Sequence, residues 1–187
     1  RELLERMGIS QFEVIPAEGE EIIEPALTPA ELVETLSRRK CAEVAAAHPE
    51  ALIIAADTVV SIDGRILGKP QNKTEAADML AALSGREHVV YSGLTVFCGG
   101  ETVTEHDASA VRFRPLTGAE IERYIATGEP MDKAGAYGIQ GYGSVLVEGI
   151  SGDFYNVMGL TVWRMARMMA RFGVDTLRLA GEKEQTR

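Results

Sequence analysis

The sequence of 187 residues has little that would tie it to a membrane, to nucleic acid or to an oxidising compartment. Its longest uncharged apolar run, Ala51 to Ala56, is far shorter than the roughly 20 residues a membrane-crossing helix needs. No charged-then-apolar leader opens it, so nothing argues for export. Two cysteines, Cys41 and Cys98, form no Cys-x-x-Cys pair and read as small packed thiols in a reducing compartment. The three histidines, at 48, 88 and 106, are scattered without metal-ligand spacing. Positive charge is scarce. Nineteen Lys and Arg stand against 28 Asp and Glu, a net −9, which argues against a nucleic-acid partner because duplex binding needs a basic face. Neither Gly-x-x-x-x-Gly-Lys-Ser/Thr nor Gly-x-Gly-x-x-Gly occurs, so no known phosphate loop is present. What remains is ordinary globular material, long enough for one sizeable domain or two small lobes sharing a core.

Within that frame the local signals are strong. Thr28-Pro29-Ala30-Glu31 combines an N-cap, a proline at the first helical position and a capping glutamate. Leu32, Val33, Leu36, Val44 and Ala45 then give an apolar helical face that ends near His48-Pro49. Ala51 to Ala56 reads as a strand buried on both faces. Val59–Ile62 and Arg65–Leu67 flank Asp63-Gly64, a hairpin signal. A second helix follows Asn72, with Glu75 as capping partner and Gly85 just past its end. Val89–Phe97 and Glu101–Phe113 are strand-like and meet at Gly99-Gly100. Thr117 and Glu120 open a third helix, which Gly128 closes; a strand at Val145–Val147 and a helix from about Leu160 to Phe172 complete the chain. These elements predict an α/β domain with a mixed sheet.

Residues 132–141, Asp-Lys-Ala-Gly-Ala-Tyr-Gly-Ile-Gln-Gly, have no helical or strand period. Such a loop brings backbone N–H groups and one lysine, Lys133, close to a ligand, a combination suited to polyphosphate, although a glycine-rich surface turn accounts for it equally well. A protein this acidic holds an anion only through a local Lys/Arg cluster or a divalent metal. Asp57 directly follows the apolar run, in the crevice position at a strand end, where it accepts a proton from water or ligates a metal; the alternative is an Asx-turn. Lys69 is launched by Pro70 and is able to reach a phosphate, solvation being the commoner use of such a lysine. Lys40 lies on the first helix, and Glu20 lies in the acidic run Glu18-Gly19-Glu20-Glu21. Gln140 offers both a donor and an acceptor to a base edge, and Thr58 a hydroxyl beside the candidate base.

In order along the chain, Ala56-Asp57-Thr58-Val59-Val60, Gly68-Lys69-Pro70, Met79-Leu80-x-x-Leu83-Ser84-Gly85-Arg86-x-His88, Gly128-Glu129-Pro130-x-Asp132-Lys133-Ala134-Gly135-Ala136-Tyr137-Gly138-Ile139-Gln140-Gly141 and Ile150-x-Gly152-Asp153-x-Tyr155-Asn156-Val157-x-Gly159-Leu160 can be set out together. The set resembles the Maf family of nucleoside triphosphate pyrophosphatases, also called septum formation inhibitor Maf proteins. The resemblance implies a Maf/ITPase-like mixed sheet flanked by helices, with two lobes around a central substrate cleft. It also implies cleavage of a nucleoside triphosphate between its α and β phosphates.

The Tyr-Gly-Ile-Gln wording resembles the dTTP/UTP-preferring branch, with Thr58 and Gln140 as specificity positions. The family's proton acceptor falls on Asp57. Glu20, Lys40, Lys69, Asp132 and Lys133 match polar cleft positions, the lysines as phosphate contacts. A divalent cation, Mg2+ or Mn2+, is implied as cofactor, with Glu20 and Asp57 as its protein contacts. The resemblance further suggests a cytoplasmic enzyme and a homodimer. Chains of the family begin with a short strand and a Ser-x-Ser-Pro-Arg-Arg loop ahead of Arg-Glu-Leu-Leu, whereas this sequence begins at Arg1-Glu2-Leu3-Leu4. The expectation is therefore one Maf-like domain over residues 1–187 that lacks that strand and loop, through truncation or an incomplete gene model. Two other readings stand beside it: a pyrophosphatase for modified or methylated nucleotides, and a nucleotide-binding regulator of septum formation without turnover.

Overall fold

The computed structural model describes residues 1–17, 19 and 27–181. Its longest helix, α2 (Pro29–Ala47), begins where the sequence places it. Thr28 Oγ1 accepts from the Glu31 N–H at 3.3 Å, and Glu31 Oε2 accepts from the Thr28 N–H at 2.9 Å. Such a cap stabilises a helix by about 1 kcal/mol. The helix buries Leu32, Val33, Leu36, Ser37 and Cys41. It reaches the sheet because Gly93 has no side chain: a Cβ there would stand 2.1 Å from the Val33 carbonyl oxygen.

The sheet contains β1 (Ile53–Ile62), β2 (Arg65–Leu67), β3 (Glu87–Cys98), β4 (Glu101–Phe113) and β5 (Val147–Ser151), in the order β2-β1-β3-β4-β5. The expected α/β architecture is present, but the sheet is not mixed among the described residues. All four of its pairings are antiparallel. The hairpin at Asp63-Gly64 turns β1 into β2, and the hairpin at Gly99-Gly100 turns β3 into β4, so neighbouring strands run in opposite directions.

Helix α3 (Lys73–Leu83) crosses from β2 to β3. Asn72 Oδ1 accepts from the Glu75 N–H at 2.9 Å, while the Glu75 carboxylate turns to the Gln71 N–H at 2.7 Å instead of closing a reciprocal box. Helix α4 (Gly118–Ala126) has the full box between Thr117 and Glu120. The side-chain bond from Arg114, with the Thr117 bonds, holds the Glu120 carboxyl down at about 2.

Four elements depart from the sequence pattern, the last strand and three short helices. The last strand starts at Val147, because Tyr142–Leu146 coil into 3-10 turns. The closing helix α6, by contrast, spans Val162–Arg171, inside the expected stretch from about Leu160 to Phe172. The short helices α1 (Glu2–Arg6), α5 (Phe154–Val157) and α7 (Thr176–Gly181) left no readable signal, since so few residues show no period.

Strand alternation divides the core. Val59 faces α2 with Leu32, Val33 and Leu36. Val60 faces the opposite way, toward Leu80, Leu83, Phe113 and Tyr137. Phe113 is fully buried there, its ring edge-on to His88 at 5.1 Å and to Tyr137 at 4.7 Å; its burial contributes about 2–3 kcal/mol. Leu94 and Val96 pack under Met165, Met168 and Met169 of α6. Among the described residues no helix is long and apolar enough to cross a membrane.

Candidate active site

A cavity of about 280 Å³ opens where the α2 cluster meets the Val60 cluster. Six of the residues singled out in the sequence line it: Lys40, Asp57, Thr58, Lys69, Asp132 and Lys133. They come from α2, β1, the turn after β2, the 3-10 segment Glu129–Asp132 and the residue that joins it to the next such turn, Ala134–Ala136. The fold thus builds the local cationic cluster that an acidic protein needs to hold an anion.

Asp57 does not end its strand. It sits in the middle of β1, opposite Gly93 of β3, because Thr58-Val59-Val60-Ser61-Ile62, β-branched at all but Ser61, continues the strand up to the hairpin. Its side chain is 8% exposed, and Lys40 Nζ meets Oδ2 at 2.6 Å. The Thr58 N–H donates to Oδ1 at 2.8 Å. Both oxygens are thus fixed in place, one by a charge-assisted bond.

Across the cavity Lys133 Nζ meets Asp132 Oδ1 at 2.7 Å, in an exposed pair that contributes little to stability. Lys69 follows Gly68, whose carbonyl accepts from the Gly135 N–H at 3.0 Å, which ties the β2 turn to the glycine-rich loop. Gly135 has φ +68°, and a Cβ there would stand 2.8 Å from Val60 Cγ2. Only glycine lets the loop lie this close to β1.

The loop is not an open polyphosphate cradle along its length. Ala136, Tyr137 and Ile139 are buried, and burial pushes the Tyr137 hydroxyl well above its ordinary value. Glu129 holds the far end: Oε1 accepts from Tyr124 OH and the Gly143 N–H, both at 2.8 Å, and Oε2 from the Tyr142 N–H at 2.7 Å. Burial works to raise this carboxyl, yet the donors from Gly143, Tyr124 and Tyr142 leave it below its ordinary value. Tyr124 OH also accepts from the Gly138 N–H at 3.0 Å. Gln140 is exposed and lies outside the cavity lining, donating Nε2–H to Glu2 Oε2 of α1 at 2.8 Å. Glu20 lies outside the described residues.

Two buried polar residues behind the cavity, Ser92 and Asn156, had no role in the sequence pattern, although Asn156 stands in one of its motifs. Ser92 bonds Thr58 Oγ1 at 2.8 Å and the Asn156 carbonyl at 2.9 Å. Their signal was faint: one serine in an otherwise apolar run of β3, and an asparagine in a short polar segment. Among the described residues no group of three or more His, Cys, Asp or Glu is spaced to hold a metal ion. Asp57 and Asp132 are the carboxylates among the described cavity-lining residues, hard oxygen groups of the kind a divalent cation takes.

The family model described as Maf-like protein matches residues 1–172. A relative from Symbiobacterium thermophilum named dTTP/UTP pyrophosphatase is 46% identical over 173 residues, covering 92% of this chain and 89% of its own length. One of the same name from Moorella thermoacetica is 51% identical over 178 residues, covering 94% and 91%. A third, from Bacillus anthracis, is 44% identical over 175 residues, with coverage of 94% and 91%. With its charged cavity built from the motif residues, this chain belongs to the Maf-like protein family.

Proposed function

We propose that this chain hydrolyses nucleoside triphosphates, dTTP and UTP foremost, to the nucleoside monophosphate and pyrophosphate. The observation that carries the reading is a carboxylate, Asp57, fixed by Lys40 on the wall of a cavity that also receives Lys69 and Lys133. Relatives of near-equal length are named for this activity. Asp57 accepts the proton of the attacking water while Lys40 and the Thr58 N–H hold its two oxygens in place. Lys69 and Lys133 approach the phosphate chain and offset the charge that develops on it. Asp57 and Asp132 would hold a divalent cation, Mg2+ or Mn2+, which when bound neutralises phosphate oxygens. Thr58 and Gln140 read the substrate, Thr58 from within the cavity and Gln140 from beyond its rim. Residues 1–187 fall within one Maf-like domain, and by likeness to the family the protein is cytoplasmic and homodimeric.

The test is pyrophosphate release from dTTP, UTP, CTP and base-methylated nucleotides, with divalent cation omitted and then restored. Cation-dependent release, fastest from dTTP and UTP, is the expected result. Fastest release from a methylated nucleotide replaces this reading with the modified-nucleotide one. Tight nucleotide binding with no release from any substrate makes the protein a non-catalytic regulator.

A further inference from the structure

Thr58 and Ser92 face each other in the β1–β3 register, so their side chains leave the same side of the sheet. Their hydroxyl oxygens are 2.8 Å apart. Ser92 is 2% exposed, and its oxygen lies 2.9 Å from the Asn156 carbonyl. A carbonyl has no proton to give and a hydroxyl has only one, so the Ser92 proton lies on that bond. The Thr58–Ser92 bond must then use the proton of Thr58. Thr58 Oγ1 meets the cavity with lone pairs alone.

The acceptor end of this chain is anchored. Asn156 is fully buried, donates Nδ2–H to the Val90 carbonyl and to Ser109 Oγ at 3.0 Å each, and accepts from Thr161 Oγ1 at 3.3 Å. Val60, Val90, Tyr137, Val157 and Met158 line the cavity on the Thr58 side, an apolar setting in which one fixed polar group sets orientation. Space beside the hydroxyl is kept by Gly159, where a Cβ would stand 3.3 Å from Thr58 Oγ1.

We infer that Ser92 is a positioning residue: it fixes the Thr58 hydroxyl as a hydrogen-bond acceptor, so the cleft favours a nucleobase that presents an N–H donor there. This rests on the nucleoside triphosphate reading above and adds a physical cause for the base preference. The imide N–H of uracil and thymine is such a donor. Cytosine has a bare ring nitrogen at the same place, and its lone pair would face that of Thr58.

Affinities for the α,β-methylene analogues of UTP and CTP, measured by titration calorimetry, test this without turnover. The unsubstituted protein binds the UTP analogue more tightly. Ser92→Ala frees the Thr58 proton to turn into the cavity and reduces that preference roughly tenfold. Thr58→Val leaves the buried Ser92–Asn156 bond in place and produces a similar reduction. The double variant loses no more than either single one, because Ser92 acts through Thr58. No preference in the unsubstituted protein, an intact preference in either single variant, or losses that add in the double variant would each overturn the inference. Pyrophosphate release from dTTP and UTP reports separately on the hydrolase reading, so the two can fail independently.

Discussion

Asp57 and Glu129 are both carboxylates that accept backbone N–H bonds, yet they occupy opposite situations. Glu129 takes the Tyr124 hydroxyl and two loop N–H groups, and its oxygens are committed to holding residues 138–143. Asp57 accepts from the Thr58 N–H, meets Lys40 and lines the cavity. The first arrangement saturates the acceptor and fixes a loop. The second holds the carboxylate on the wall of a cavity. What each carboxylate faces, rather than charge or burial alone, separates Glu129, bonded to the loop, from Asp57, the proposed base on the cavity wall.

That contrast is open to direct test. Asp57→Asn should reduce pyrophosphate release by about 10²- to 10⁴-fold with far-UV dichroism unchanged. Near-normal release would remove Asp57 from the role of base. On the structural side, His88 lies beside Tyr137, and burial pushes its imidazole from 6.5 down to about 4. The unfolded chain therefore takes up this proton first as pH falls, so stability is lost between pH 6.5 and about 4, by roughly 3 kcal/mol in total. Thermal melts from pH 7 to pH 4 should show this slope, and His88→Gln should flatten it.

Glu129→Gln should cost about 2 kcal/mol in denaturant melts, because an amide N–H2 would face the Tyr142 N–H where Oε2 now accepts. A fall in turnover at saturating nucleotide with unchanged stability would break the division between the two carboxylates. Gln140→Ala should have the smallest effect. It should change the ranking of dTTP, UTP and CTP more than the maximal rate, since the side chain lies outside the cavity lining. An unchanged ranking in the nucleotide panel would end its reading role.

Much of the scaffold was legible residue by residue. Thr28 and Glu31, Asn72, and Thr117 and Glu120 mark helix starts because a cap is a contact between residues three apart. Asp63-Gly64 and Gly99-Gly100 mark hairpins for the same local reason. The position of Asp57 was misread as a strand end because its polarity interrupts an apolar run, while the backbone bonds to β3 continue through it. The glycine-rich loop looked like an open cradle. Its glycines in fact admit Val60 and the Glu129 carboxylate, as at Gly141, where a Cβ would stand 2.0 Å from Oε2.

The sequence by itself determined the longer helices, the hairpins and the set of polar residues available for chemistry, because each depends on contacts within a few positions along the chain. Tertiary structure decided which of those residues work together. Lys40 reaches Asp57 from 17 residues away, Thr58 meets Ser92 across 34, and Gln140 is drawn to Glu2 across 138. Such pairings follow from strand register and helix packing, where a one-residue slip turns every side chain to the other face. No local pattern encodes that choice.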